Sequence, residues 1–340
     1  MATLKDVARR AQVDASTVSR VLRGDPRQVV RAATRDRILH AARDLEYRPN
    51  ALARGLRTRR TDTIGLVIPS LDNVGFSEVT HGIQAAAADA GKLVMVVEAG
   101  ALRDGSTGRH EHYARLITDG RVDGIIAAFA TLDDQLLAQL AERGLPLVLV
   151  NRRTSGIHGS VVVDDEAGSA LAVRCLAELG HRRIGFVGLD ADTDTARRRR
   201  AGYRRSMDEA GLVVEERWLE AAEPTEAGGR QAIARILASP AASRPTAIFA
   251  ASLLGAIGVL AGIREAGLTV PAAVSLIAFN DHSLAAHLSP PLTTIRMPNY
   301  RMGQEAVRML LRAVEGEPVH DLMIDDRPEI VERASTGPPA

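Results

Sequence analysis

The chain has 340 residues, 46% apolar and 25% charged, with 43 Lys+Arg against 42 Asp+Glu. That length fits two or three domains with full-sized cores. No run of eighteen apolar residues is present, so no transmembrane helix is expected; the N-terminus lacks the long apolar segment of a secretory signal, and the lone Cys175 excludes an internal disulfide and fits a reducing cytosol.

The near-zero charge balance conceals a split. Residues 1–60 hold 15 Lys+Arg and 6 Asp+Glu, a net of +9, and the remaining residues hold 28 and 36, a net of −8. A basic head on an acidic body is the footprint of a chain that meets phosphate with one end only.

Thr3-Leu4-Lys5-Asp6 reads as a capping box. It opens a helix whose apolar positions Leu4, Val7, Ala8 and Ala11 share one face. Gln12-Val13-Asp14 is a tight connection, with Asp14 as the next N-cap. The second helix, within Asp14–Leu22, turns Val18, Val21 and Leu22 inward and leaves Ala15, Ser16, Ser19 and Arg20 outside. A third helix, roughly Ala32–Leu45, carries Ile38, Leu39, Ala42 and Leu45 on one stripe. Two short helices joined by a short turn and closed by a third describe a helix-turn-helix. Small polar residues at the start of the second helix, with Arg20 one turn on, suit a major groove where Arg bonds guanine. The plain alternative is a three-helix subdomain with solvated Ser and Arg.

The runs LKDVARRAQVDASTVSRVLRG and TRDRILHAARDLEYRPNALARGL closely resemble the headpiece of the LacI/GalR family of bacterial transcriptional regulators. The loop Arg23–Val30 is about two residues long for that family, and Arg31 stands where a Ser usually caps the third helix. Pro49 ends the third helix, and Ala51–Leu56 is too short to be a stable helix alone. The resemblance implies that this hinge folds on DNA and that Leu56 wedges into the minor groove beside its copy from a second subunit, at a CpG step. The plain alternative is a linker, against which Arg54, Arg57, Arg59 and Arg60 favour phosphate contact. The candidate DNA contacts are Thr3, Ala15, Ser16, Thr17, Ser19, Arg20, Asn50, Ala53, Arg54 and Leu56.

From Thr61 onward, short apolar runs alternate with amphipathic helices. Strand candidates are Ile64–Ile68, Leu93–Val97, Gly124–Ala127, Leu147–Val150, Ser160–Val163, Ile184–Val187, Ala247–Ala250 and Val274–Ala278. This density of βα units means doubly wound sheets, and a restart near residue 160 suggests two similar lobes with a ligand between them. IGLVIPSLDN, ELGHRRIGFVG and FNDHSLAAHLSPPLTTI resemble the family's periplasmic-binding-protein-like core. The expected fold is therefore an all-α helix-turn-helix headpiece (1–46), a hinge (47–60), and an α/β core of two doubly wound lobes (61–340). The resemblance implies three crossovers, placed near His158–Ser160, Leu288–Leu292 and Val319–Leu322. The first lobe then takes about 61–159 and 291–320, the second about 160–289 and 321–340.

The resemblance also implies effector contacts at Phe76, Asn151, Arg197, Ser252, Asn280 and Asp281. Arg197 is the clamp for hydroxyls or a carboxylate. Its neighbours Arg198, Arg199 and Arg200 read as a solvated helix face, and Phe76 reads equally well as core. Ser252, Leu253 and Pro224 depart from the family pattern of Asn, Asp and an aromatic, which weakens the case for a simple sugar.

No G-x-S-x-G elbow, Walker loop or G-x-G-x-x-G is present. His110-Glu111-His112 has no further metal partner placed by sequence, and His181 reads as structural. Neither cofactor nor metal is expected. The leading reading is a cytoplasmic, homodimeric repressor that binds a palindromic double-stranded operator, does not meet the membrane, and answers to a small-molecule effector, a sugar or related polar metabolite. Against it stand a transport-type solute-binding protein of the same core fold, a corepressor-dependent or activating regulator, and an enzyme on an α/β scaffold.

Overall fold

The computed structural model describes residues 2–22, 30–47, 60–99, 115–116, 119–189 and 192–339, apart from the side chain of Leu136. The chain forms two compact units, Met1–Thr61 and Asp62–Ala340.

The first unit packs α1 (Leu4–Ala11), α2 (Ala15–Leu22) and α3 (Ala32–Asp44). The capping box is complete: the Asp6 amide donates to Thr3 Oγ1 at 3.3 Å, and Asp6 Oδ2 accepts from the Thr3 amide at 2.9 Å. The Thr3 hydroxyl and backbone N–H hold the Asp6 carboxyl below its ordinary range. Gln12 takes a left-handed conformation, φ 53°, which turns the chain sharply into α2. The α3 helix begins without a side-chain cap at Arg31, as the missing Ser predicts. Instead Arg37 Nε donates to the Ala11 carbonyl at 3.0 Å and ties α3 to the end of α1. Val7, Ala8, Ala11, Val18, Val21, Ile38, Ala41 and Ala42 form the core. Ala15, expected outside, is half-buried against that core, and Leu39 lies off it. An eight-residue helix wedged between two others has few fully free positions.

The second unit contains two six-stranded sheets. The first sheet joins β1 (Thr63–Ile68), β2 (Leu93–Glu98), β3 (Gly124–Ala127), β4 (Leu147–Val150), β5 (Ser160–Val162) and β11 (Leu322–Met323), in the order β11-β5-β4-β3-β1-β2. The second joins β6 (Ile184–Leu189), β7 (Leu219–Ala222), β8 (Ala247–Ala250), β9 (Ser275–Phe279), β10 (Thr293–Arg296) and β12 (Glu329–Val331), in the order β12-β10-β9-β8-β6-β7. All neighbours are parallel except β10 and β12. The inner strands are buried on both faces, which explains their continuous apolar runs.

Helices α4 (Ser77–Asp89), α5 (Gln135–Glu142) and α10 (Asn299–Val314) belong to the first lobe, and α6 (Asp165–Glu178), α7 (Asp194–Glu209), α8 (Glu226–Leu237) and α9 (Leu253–Glu265) to the second. The α4 and α10 helices touch through glycine: a Cβ on Gly303 would stand 2.2 Å from the Val79 carbonyl oxygen.

The chain crosses between lobes three times, each a few residues after the expected place. Ser160 pairs with Leu149 in the first sheet, so the first crossing follows β5. Thr293 pairs with Ile277 in the second sheet, so the second falls at Met297–Pro298. The third lies between β11 and β12, at 324–328. The expected lobe limits at 159, 290 and 320 are corrected accordingly. An apolar run announces a strand but not which sheet receives it.

Candidate nucleic-acid interface and interlobe cleft

On α2, Ser16 and Arg20 are exposed one turn apart, hence on one face. Thr17 and Ser19 are half-buried beside them. Thr3 is exposed, but its hydroxyl is engaged with Asp6, to which it donates at 2.7 Å. Ala15, packed on the core, offers only part of its methyl. Lys5, Arg9, Arg31, Arg35 and Arg43 add exposed positive charge to this unit. The candidate hinge contacts Asn50, Ala53, Arg54 and Leu56 lie outside the described residues, as do most of the loop from Arg23 and His110-Glu111-His112.

In the second unit the loops after β1, β3 and β4 of one lobe meet those after β6, β8 and β9 of the other. Polar contacts cross between them. The Leu132 amide donates to the Asp192 carbonyl at 3.1 Å, and the Arg153 amide to Asp194 Oδ2 at 3.1 Å. Asn299 Nδ2 donates to Asn280 Oδ1 at 3.2 Å.

Sequence reasoning missed the main side chains of this junction. Arg198 and Arg199 are not solvated: they are 8% and 4% exposed, and only Arg200 and Arg197 of the run face solvent. Arg198 donates to the Val163 carbonyl at 2.6 Å, to Asp194 at 3.0 Å and to the Asn151 carbonyl at 3.2 Å, and it ion-pairs with Asp165. Arg199 donates to Asp165 at 2.7 Å and to the Ala251 carbonyl at 2.7 Å, with its guanidinium 3.9 Å above the Phe279 ring. Four successive helical positions span most of a turn, so some of the four arginines had to face inward. Asp165, fully buried at the start of α6, is the partner that makes their burial tolerable.

The six candidate effector residues divide. Arg197, in the first turn of α7, is exposed, and its guanidinium has no partner among the described residues. Asn151 follows β4 at φ 69° and gives its carbonyl to Arg198. Asn280 follows β9 at φ 70°, with its amide beside Gly75. Phe76, 8% exposed, is part of the core cluster. Ser252 caps α9, accepting from the Gly255 amide at 3.1 Å.

Asp281 is engaged within its own lobe by Thr294 at 2.6 Å, Arg296 at 2.8 Å and Arg333 at 2.8 Å. Burial pushes its carboxyl up, but these hydrogen bonds outweigh that and leave it below the ordinary range. It lines a cavity of about 750 Å³ with Glu78, His81, Arg296 and Tyr300, which none of the other five candidates borders.

Arg152, beside Asn151, was also missed. Its Nη1 donates to the carbonyls of Phe129 and Ala130 at 3.1 and 3.2 Å, while its Nε is buried with no partner. Burial and the nearby Arg199 pull its pKa down to about 10, with Asp194 opposing. Among the described residues no group of three or more His, Cys, Asp or Glu side chains gathers as metal ligands, and no helix is long and apolar enough to cross a membrane.

Residues 3–50 match the family described as bacterial regulatory proteins, lacI family, and residues 173–336 match the periplasmic binding protein-like domain. The HTH-type transcriptional repressor PurR of Aliivibrio fischeri (strain ATCC 700601 / ES114) is 33% identical over 337 residues, 98% of each chain. The chain belongs to the LacI family. A LacI-family transcriptional regulator from Mycobacterium smegmatis is 33% identical, with a TM-score of 0.75 over 82% of this chain and 100% of that one. The lac repressor dimer bound to operator and the anti-inducer ONPF is 27% identical, with a TM-score of 0.84 over 99% of both chains. As a LacI-family protein the chain is a DNA-binding transcriptional regulator under effector control, not an enzyme.

Proposed function

We propose that this regulator is a cytoplasmic repressor that acts as a homodimer on a palindromic operator. The observation that carries the reading is the exposed Ser16–Arg20 face of α2 on a strongly basic unit, in one chain with a two-lobed α/β unit. Arg20 bonds guanine O6 and N7 in the major groove, and Ser16 contacts the neighbouring base. Thr17 and Ser19 contact phosphate and position the helix. Thr3, through its capping box, fixes the start of α1 against the backbone. The lac repressor dimer on its operator is the geometric precedent.

The hinge reading extends this. Two Leu56 side chains enter the minor groove at the centre of the site, and Asn50, Ala53 and Arg54 follow the backbone beside them. A small molecule between the lobes, at Arg197, Asn151 and Asn280, binds one arrangement of the lobes more tightly than the other and thereby changes operator affinity. Phe76 supports this cleft from the core, and Ser252 and Asp281 hold its loops.

The test is selection of bound duplexes from a random pool by the full-length protein at defined salt. Enrichment of a two-fold symmetric site with a central CpG supports the dimeric headpiece and hinge. Binding that falls steeply with salt but enriches no sequence leaves only the phosphate contribution and contradicts base reading. On the selected site, Leu56→Ala is expected to weaken binding strongly; unchanged affinity refutes the wedge.

A further inference from the structure

We propose that Arg37, although it lies on α3, is a positioning residue for base recognition: its hydrogen bond to the Ala11 carbonyl sets the angle at which α2 meets the duplex. The inference rests on the reading of the Ser16–Arg20 face of α2 as the base-reading surface.

The carbonyls in the last turn of a helix have no partner within that helix. At the end of α1 the chain turns at Gln12, φ 53°, and the Val13 amide donates back to the Ala8 carbonyl at 3.1 Å. Ala11 is the last residue of α1, and α2 begins at Ala15. Arg37 Nε reaches the Ala11 carbonyl at 3.0 Å, from 26 residues further along the chain. The bond therefore lands where α1 hands over to α2. Ala11 has no exposed surface, so a carbonyl left unmade there is costly. A cation at the carboxyl end of α1 also meets the partial negative charge of that end.

Packing alone leaves this angle soft. The buried side chains with which α1 and α3 face the core include Ala8 and Ala11 on one helix and Ala41 and Ala42 on the other. Methyl groups interlock little, whereas a satisfied polar contact specifies one arrangement. A second link between these helices, Arg10 Nη2 to Asp44 Oδ2 at 3.2 Å, joins side chains 59% and 50% exposed and so holds little. The Arg37 bond is half-buried and keeps more of its strength. It also steadies a helix that begins without a side-chain cap at Arg31.

Base contacts must be held to within about 0.5 Å. A small change of angle at the turn is amplified along α2 to the tip of Arg20. Non-specific binding rests on charge and makes no such demand. Loss of the bond should therefore damage base reading while sparing attachment to DNA.

The experiment compares two full-length variants of equal charge. Arg37→Gln keeps an amide N–H as many bonds from the backbone as Nε, and Arg37→Met fills similar space with no donor. Affinities for the selected site and for a scrambled duplex are measured by fluorescence anisotropy at one salt concentration. The expected result is that the Met variant binds the selected site about fivefold to tenfold more weakly than the Gln variant. The two should bind the scrambled duplex equally. The penalty for replacing the guanine read by Arg20 should also shrink in the Met variant.

Equal affinity of the two variants for the selected site overturns the proposal, because the donor is then not used. Equal weakening of the Met variant on both duplexes also overturns it, and reduces the bond to one that holds the unit together. In either case a wild-type protein that still distinguishes the duplexes leaves the base-reading face of α2 intact. A wild-type protein that does not distinguish them overturns that face, and the role of Arg37 with it.

Discussion

Arg198 of the second lobe donates through Nη2 to the backbone carbonyl of Asn151 in the first, at 3.2 Å. The same guanidinium reaches Val163 at the crossing and ion-pairs with Asp165 and Asp194. One side chain therefore ties both lobes to the point where the chain passes between them.

Arg198→Gln is expected to be severe. It removes one of the two arginines that pair with a fully buried carboxylate, Arg199 being the other, and leaves the Val163 and Asn151 carbonyls and Asp194 in want of donors. Losses of this kind cost about 3–5 kcal/mol. Urea unfolding of the variant, read by circular dichroism, checks this. A change within error would mean that the guanidinium is replaceable by water.

Helix contact makes a second, independent demand. Gly303→Ala places a methyl 2.2 Å from the Val79 carbonyl oxygen on α4, in backbone that cannot yield cheaply. Overpacking of this kind costs about 1–3 kcal/mol. The midpoint of urea unfolding should fall accordingly, and an unchanged midpoint would show that α4 and α10 slide apart freely.

His181 sets a pH dependence. It is almost fully buried, with Nε2 2.9 Å from the Gly337 carbonyl and Nδ1 2.9 Å from Thr246 Oγ1. Facing a carbonyl, Nε2 carries the proton of the neutral ring. Burial lowers its pKa below the ordinary 6.5, although the Gly337 bond opposes this. A base whose folded pKa is depressed contributes stability above its unfolded pKa. That contribution declines as pH falls from about 6.5 and is gone below the folded value. Unfolding free energies at a series of pH values between 7.5 and 5 should show this decline, and His181→Gln should flatten it. The same slope in both proteins would place the titration elsewhere.

Legibility followed the length of the physical signal. The inner strands were readable because burial on both faces leaves an unbroken apolar run, as in Leu147–Val150. β10 was not, because its buried Thr293 and Thr294 are polar, satisfied by Ser335, Thr336 and Asp281 from distant segments. β11 and β12 are two and three residues long at sheet edges and leave almost no pattern.

In the first unit the capping box and the missing cap at Arg31 were both readable, since each is a local rule. The burial of Arg198 and Arg199 was hidden because it depends on Asp165, more than thirty residues earlier. Arg152 was hidden for a similar reason: its partners are backbone carbonyls, which no residue identity announces.

In the proposed function α2 reads base sequence through Arg20. Its most direct test compares the wild-type protein with Arg20→Ala on the selected site and on a scrambled duplex, at two salt concentrations. A guanine contact of this type discriminates by about 1–3 kcal/mol, or roughly tenfold to a hundredfold. That loss is expected on the selected site, with binding to the scrambled duplex and its salt dependence nearly unchanged. Equal weakening on both duplexes would reduce Arg20 to a phosphate contact, and no weakening on either would remove α2 from the interface.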